Sequence, residues 1–262
     1  MLMNNESEAH SDFVKLTQSF INEGDEHKAF GMMDDLCNMI IQSPDDVLKE
    51  AELHNFDSSA LKKSIAKIDA LSEQNSAKAI LNSENKHDSF VGYEWELRDY
   101  YESEYTFISD NLQSSPQTIA YIGHGSLSVL SNILYDNITN LHIDFYDIDP
   151  VTTKIAKSIL EKYRPNANSC FRTANILDTD LDGNYYDLAI VTNAPLLAFI
   201  NRDKPLPARN IFLRSATRAG GLLYPRIDVS SDISPHYSLV TTKDDPVYKI
   251  HQMHILETLD AK

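Results

Sequence analysis

A chain of 262 residues with 42% hydrophobic and 24% charged residues has an ordinary globular composition, enough for one large domain or two modest ones. Its net charge of −16 repels phosphate backbones, which argues against a nucleic-acid partner, and no apolar run approaches the roughly 18–20 residues that cross a bilayer, which argues against a membrane one. Two distant cysteines, Cys37 and Cys170, and an N-terminus without basic or apolar segments predict a reduced, cytoplasmic protein with no secretory signal.

The acids are concentrated at the front: residues 1–110 hold 23 Asp/Glu against 9 Lys/Arg, which is −14 of the total −16. The asymmetry predicts two units, an all-α domain over 1–113 and a second domain over 114–262, joined at Ser114-Ser115-Pro116. Phe13, Leu16 and Phe20 predict a helix over 12–23 that stops at Gly24. Phe30, Met33, Cys37, Ile40 and Ile41 predict another over 29–41. Ser43-Pro44 ends that helix and starts the next, with Asp45 and Asp46 in its first turn. Ser58 or Ser59 caps a longer helix, running to Leu81, in which Leu61, Ile65, Ile68 and Leu71 share a face. Residues 89–112 are dense in aromatics and acids, and on a helix Tyr93, Glu96 and Tyr100 share one side.

From Thr118 strands and helices alternate, the pattern of a mostly parallel sheet. Strands are predicted at 118–122, 142–147, 168–172, 186–192, 220–228, 237–242 and 248–256, and helices at 126–136, 150–163 and 206–217. Gly220 and Gly221 are expected at the C-cap of the last helix, and Pro225 at a bulge or early end of the strand after it. Only Lys243-Asp244-Asp245-Pro246 separates the last two strands, so they read as an antiparallel hairpin.

The stretch Thr118 to Pro150 carries the chemistry. A strand halts on Gly123-His124-Gly125, a helix follows, and a second strand ends in Asp147-Ile148-Asp149-Pro150. That is a nucleotide-binding βαβ unit: the glycines let the backbone turn tightly against a ligand, and an acid 24 residues after Gly123 can accept both hydroxyls of a ribose. Position 128 is serine, so GxGxxG is incomplete, which favours a nucleoside without a pyrophosphate, S-adenosylmethionine (SAM), over NAD. Five parallel strands plus a terminal antiparallel hairpin outline the Rossmann-like class I SAM-methyltransferase sheet, here behind an N-terminal all-α domain. Ligands of such sheets bind at the carboxyl ends of the strands. Those ends hold Gly123 and Gly125, Asp147 and Asp149, Asn175 and Ile176, and Thr192 to Pro195, with Asn193 as either a loop hydrogen-bonder or a substrate contact. Ser126 is expected to cap the first helix of the unit or to donate to the substrate carboxylate, and His124 to pack or face solvent. His251 and His254 lie three apart on a strand and point to opposite faces, so no metal site is expected.

The ordered segments YIGHGSLSVLS, FYDIDP, CFRTANILD, YYDLAIVTNA, ATRAGGLLYPRI and VTTKDDPVYKIHQMHIL resemble the nicotianamine synthases and their bacterial relatives that make opine-type metallophores. The resemblance covers residues 118–256, and extends to the front half in architecture and in Ala79-Ile80-Leu81-Asn82-Ser83. It implies that Gly123, Gly125, Asp147, Ile148 and Asp149 bind SAM, with Asp147 as the ribose acid. It also implies that Asn175 stands where the family often has an acid for the adenine amino group. The family's Tyr-Tyr-Asn-Asn-Tyr segment aligns with Tyr93-Glu94-Trp95-Glu96-Leu97, where Tyr93 matches and the other positions depart.

The resemblance implies transfer of the aminocarboxypropyl arm of SAM to an amine, with release of methylthioadenosine. The attacking amine must be neutral, so an acceptor for its proton is needed. Tyr93 and Glu96 are the first candidates, and Glu73 on the long helix is the next. Two readings compete. SAM's own α-amine can close a ring to azetidine-2-carboxylate, with no second substrate, or the fold can carry ordinary methyl transfer; a non-enzymatic binding module is the remaining class. The partners expected are a small amine or amino-acid acceptor, or none for ring closure, with a homodimer left open.

Overall fold

The computed structural model describes residues 6–83, 86–176, 181–192, 195–200, 202, 204–229, 231–247 and 249–259. Five helices come first: α1 (Glu6–Asn22), α2 (Glu26–Gln42), α3 (Pro44–Leu53), α4 (Ser59–Asn82) and α5 (Lys86–Asn111). Then β1 (Thr118–Ile122), α6 (Val129–Asn137), β2 (His142–Asp147), α7 (Pro150–Tyr163), β3 (Asn168–Thr173), β4 (Tyr186–Thr192) and α8 (Leu196–Ile200) alternate. The chain closes with β5 (Ala208–Ala216), β6 (Tyr237–Asp244) and β7 (His251–Thr258). The seven strands form one sheet in the order β3-β2-β1-β4-β5-β7-β6. β1 to β5 are parallel, and β7 runs antiparallel to both β5 and β6.

Strand alternation builds a core on each face of the sheet. Ile119, Tyr121, Ile143, Phe145, Leu188, Ile190 and Phe212 face Phe107 and Ile108 of α5 and Leu130 and Leu134 of α6. Ala120, Ile122, Tyr146, Ala189, Val191, Ile211 and Leu213 face Leu196 and Phe199 of α8. The front helices close on the chain after β5 and before β7: Phe13, Phe20, Leu36, Leu61 and Ile65 share a core with Ala219, Leu223 and Ile250. Farther along α4, Ala77 and Ile80 pack on Leu127 before α6, on Val129 at its start and on Ile155 and Ile159 of α7.

Two expected elements are corrected. Residues 206–217, expected as a helix, hold β5, and residues 220–228, expected as a strand, hold a 3-10 turn at Gly220–Leu222 and irregular chain. β5 lies inside the sheet between β4 and β7 and is buried on both faces, so Ile211, Phe212 and Leu213 show no period-2 alternation. The glycines cap no helix: a Cβ on Gly220 would collide with the carbonyl of Ile250, so this glycine marks a close backbone approach. Pro225 lies outside the sheet and its carbonyl accepts the Ala216 N–H (2.9 Å). Both hairpin strands end two residues later than expected and β7 also starts three later, and Asp245 between them is buried, with its N–H on the His251 carbonyl (3.1 Å). Among the described residues no helix is long and apolar enough to cross a membrane.

Candidate active site

The carboxyl end of β1 makes the turn at which the site begins. Gly123 and Gly125 have φ of +70° and +68°, and Ser128, just before α6, has +47°. A Cβ on Gly123 would lie 2.5 Å from Cγ of Pro195, after β4. A Cβ on Gly125 would lie 2.5 Å from both carboxylate oxygens of Glu73, on α4. The glycine turn is thus clasped between the end of the fourth strand and the long front helix. Gly183 has a φ of +72° with nothing within 4 Å of its virtual Cβ. Gly125→Ala is therefore expected to lower Tm well beyond Gly183→Ala, since it adds the Glu73 collision to the same left-handed strain of about 1–2 kcal/mol. Equal shifts in the two melting curves would show that the Glu73 contact is not tight.

Glu73 accepts the backbone N–H of Leu127 (Oε1, 3.0 Å) and that of Ser126. These are donors of the turn that opens α6, the kind of place where a carboxylate is at home. Burial still pushes its pKa above the ordinary carboxylate value; the two N–H bonds oppose the shift, and the nearby Asp147 carboxylate adds to it. A half-buried carboxylate that binds protons more readily than usual is suited to take one from an attacking group.

The acids after β2 divide their work. Asp149 caps α7: its oxygens accept the N–H groups of Val151 (3.0 Å) and Thr152 (3.2 Å) and the Thr152 hydroxyl (2.7 Å). It also takes Nε2 of Gln74 from α4 (3.0 Å). Asp147, the last residue of β2, accepts the Asp149 N–H on Oδ1 (2.9 Å) and stays half-buried at the strand tip. Ile148 between them is 70% exposed. Asn175 follows β3 half-buried, and Ile176 is buried with its carbonyl held by Arg202. Gly123, Gly125, Asp147, Asn175 and Ile176 therefore lie at adjacent strand ends along β3-β2-β1. Asn193 lies outside the described residues, as do the side chains of Tyr93 and Glu96, whose backbone runs through α5.

His124 packs: it is 3% exposed, with its ring edge-on to Phe145 (5.3 Å) and Phe171 (5.7 Å), which stack on each other at 4.5 Å. Ser126 does not cap the helix. That position belongs to Ser128, and the Ser126 hydroxyl is buried without a partner among the described residues.

A polar cluster that the sequence reading missed centres on Arg214 of β5, 5% exposed. Its guanidinium reaches Glu104 Oε1 (3.0 Å) and the Tyr100 hydroxyl, and lies over the rings of Tyr100 (5.2 Å) and Tyr101 (5.8 Å). Tyr100 also meets His251 Nδ1 (3.4 Å). Burial pushes Glu104 up to about 7 against the pull of Arg214. Asp69, one turn before Glu73, is likewise raised to about 7 by burial and by the Glu73 charge, against a hydrogen bond from Tyr224. Burial raises Tyr101 to about 12. Arg214 lies near enough to Asp69, Glu73 and Glu104 to favour the charged form of each. The signal that could have revealed it is an arginine inside an otherwise apolar run, Ile211-Phe212-Leu213-Arg214.

His251 and His254 turn to opposite faces of β7; His254 bonds Ser215 (2.9 Å) and Thr242 (2.9 Å). Among the described residues no group of three or more His, Cys, Asp or Glu could hold a metal ion.

A family model described as nicotianamine synthase protein matches residues 31–253. Nicotianamine synthase of tomato (Solanum lycopersicum) is 30% identical over 138 residues, 48% of this chain and 43% of that protein, so the match spans less than half the length of this relative. Among solved structures, MtNAS in complex with MTA and tNA superposes with a TM-score of 0.72 at 14% identity, over 98% of both chains. A Glu-to-Gln mutant of MtNAS in complex with S-adenosylmethionine gives 0.71 at 14% identity, over 95% of this chain and 97% of that one. The 16S rRNA methylase RmtB gives 0.52 at 12% identity, over 71% and 74%. At these identities the likeness is one of fold, a Rossmann-like SAM-methyltransferase sheet behind a helical front, as the sequence predicts.

Proposed function

Because the chain belongs to the nicotianamine synthase family, we propose that it is a SAM-dependent transferase that moves the 3-amino-3-carboxypropyl arm of SAM to an amine and releases methylthioadenosine. The observation that carries this reading is the Glu73 carboxylate lodged against Gly125 and the N–H groups of Ser126 and Leu127. It puts a proton acceptor of raised pKa at the mouth of the glycine turn, where a nucleoside substrate's reactive arm would enter. SAM supplies a sulfonium whose Cγ–S bond can break with the electron pair returning to sulfur.

In this reading residues 114–262 hold SAM and residues 1–113 bring the base. Gly123 and Gly125 admit the ligand to the backbone, and Asp147 takes the ribose hydroxyls. Asn175 and Ile176 border the adenine, and Asn193 is kept as a candidate substrate contact. Asp149 and Ile148 act through the shape of the β2–α7 turn, Asp149 as the helix cap that holds Asp147 in place. Glu73 accepts the proton that the amine loses as its N–C bond forms, so nucleophile and leaving group both end neutral. Tyr93 and Glu96 are kept as the other candidates for the proton acceptor. The acceptor is an amino acid or another small amine, as in opine-type metallophore synthesis.

Mass spectrometry of purified protein with SAM alone, then with a panel of amino acids, tests the reading. Methylthioadenosine that forms only with an acceptor supports it. Methylthioadenosine together with azetidine-2-carboxylate and no acceptor replaces it by ring closure, and S-adenosylhomocysteine replaces it by methylation. Asp147→Ala is expected to raise the Kd for SAM by about 10- to 100-fold, the equivalent of one hydrogen bond to a charged group. An unchanged Kd by calorimetry would remove Asp147 from the ribose role.

A further inference from the structure

The Gly125–Ser126 peptide is held from both sides. Its carbonyl lies 2.6 Å from Nδ1 of His124, and its N–H is bonded to the Glu73 carboxylate. A carbonyl oxygen only accepts, so Nδ1 carries the proton and donates. A trans peptide is planar, with C=O and N–H pointing in opposite directions. Whatever fixes the carbonyl therefore aims the N–H. We infer that His124 is a positioning residue that, through this one peptide plane, holds the Ser126 N–H on Glu73 and so sets the geometry of the proposed base. The inference rests on the reading of Glu73 as that base.

The imidazole is itself fixed. Its ring is wedged edge-on against Phe145 of β2 and Phe171 of β3, which ties the turn to the sheet. The Ser128 hydroxyl donates to the His124 carbonyl (2.9 Å) and lies 3.3 Å from Nδ1. Nε2 is buried with no hydrogen-bond partner among the described residues, so the polar contacts of the ring fall on its Nδ1 edge. A histidine kept only for packing would not need that edge turned to a backbone carbonyl at 2.6 Å. In the glycine turn, where Gly125 is free to rotate, such a contact selects one orientation of the following peptide.

Asparagine can place an amide N–H where Nδ1–H of histidine lies; alanine cannot donate. His124→Ala is expected to release the peptide, so that Glu73 loses the Ser126 donor and binds its proton more tightly. The acid limb of the kcat/KM profile then moves to higher pH by about one unit, the equivalent of one hydrogen bond to a charged group. His124→Asn is expected to return the limb to within a few tenths of wild type, even where its Tm stays low. A His124→Ala variant with reduced Tm but an unmoved acid limb would overturn the inference, as would an Asn variant no better than Ala. Glu73→Gln separates the two ideas. Full activity in that variant removes the base itself, whereas an inactive Gln variant beside an unmoved His124→Ala limb removes only the role of His124.

Discussion

Glu73→Gln is expected to abolish transfer, lowering kcat by about 10²–10⁴-fold, while leaving the fold and the affinity for SAM within a few-fold of wild type. The amide keeps the size of the carboxylate, and its oxygen can still accept the Leu127 N–H (3.0 Å in the native protein), but it cannot take a proton from an amine. Stability responds to the same change with a definite sign. A carboxylate whose folded pKa is raised contributes its full stability below the ordinary value of 4.5, and that stability is lost as pH rises through the folded value. The Gln variant carries no such loss, so its Tm should gain on the wild type as pH increases. Turnover within threefold of wild type would sink Glu73 as the base.

Arg214→Met is expected to destabilise the protein by about 3–5 kcal/mol at pH 8.5, the cost of stranding a buried charge whose partner has been removed. The pair is Arg214 with Glu104, at 3.0 Å and with both side chains almost wholly inside. Even with the arginine present, burial holds Glu104 at about 7, so its contribution is complete below the ordinary carboxylate value and falls as pH rises through 7. Without the arginine that fall runs on to higher pH, and the loss should shrink at pH 5.5, where Glu104 is protonated. Adding Glu104→Gln to Arg214→Met should recover much of the stability at pH 8.5, because the stranded charge is gone. Denaturant midpoints at the two pH values read both effects. A cost below about 1 kcal/mol at pH 8.5 would mean that water reaches the pair.

Where local pattern dictates structure, the elements were legible. The boundaries of β1, β2, β4 and α7 are those expected, because a glycine turn, an Asp-Pro helix start and short apolar runs mark them without help from tertiary contacts. The residues at the strand ends could be read for the same reason. β5 failed because a strand buried on both faces has no alternation to distinguish it from a buried helix. Arg214 was lost with it. Glu73 stood as the weaker candidate since α4 has polar residues on several sides, and only packing selects the one that meets a turn 52 residues later in the chain. A resemblance resting on segments between residues 118 and 256 could point to the ligand; the partner of the glycine turn comes from the helical front, where the motifs legible in the sequence were few.

The helix that carries Glu73 is also fixed lengthwise. Gln74 is tied to Asp149 and Thr152 at the start of α7 (3.0 and 3.2 Å), and Lys162 near its end donates to the carbonyls of Ile80 (3.0 Å) and Leu81 (2.9 Å). These anchors set the axial register of α4 against the sheet. A slip of one turn, about 5.4 Å, would bring Asp69 or Ala77 to Gly125 in place of Glu73, a shorter acid in one direction and no acid in the other. Insertions before Ser59 leave that register alone. A single residue inserted between Gln74 and Ile80 sets the two anchors at odds by about 100° of helical rotation, so the length of this segment is as much a constraint on the chemistry as the identity of the glutamate.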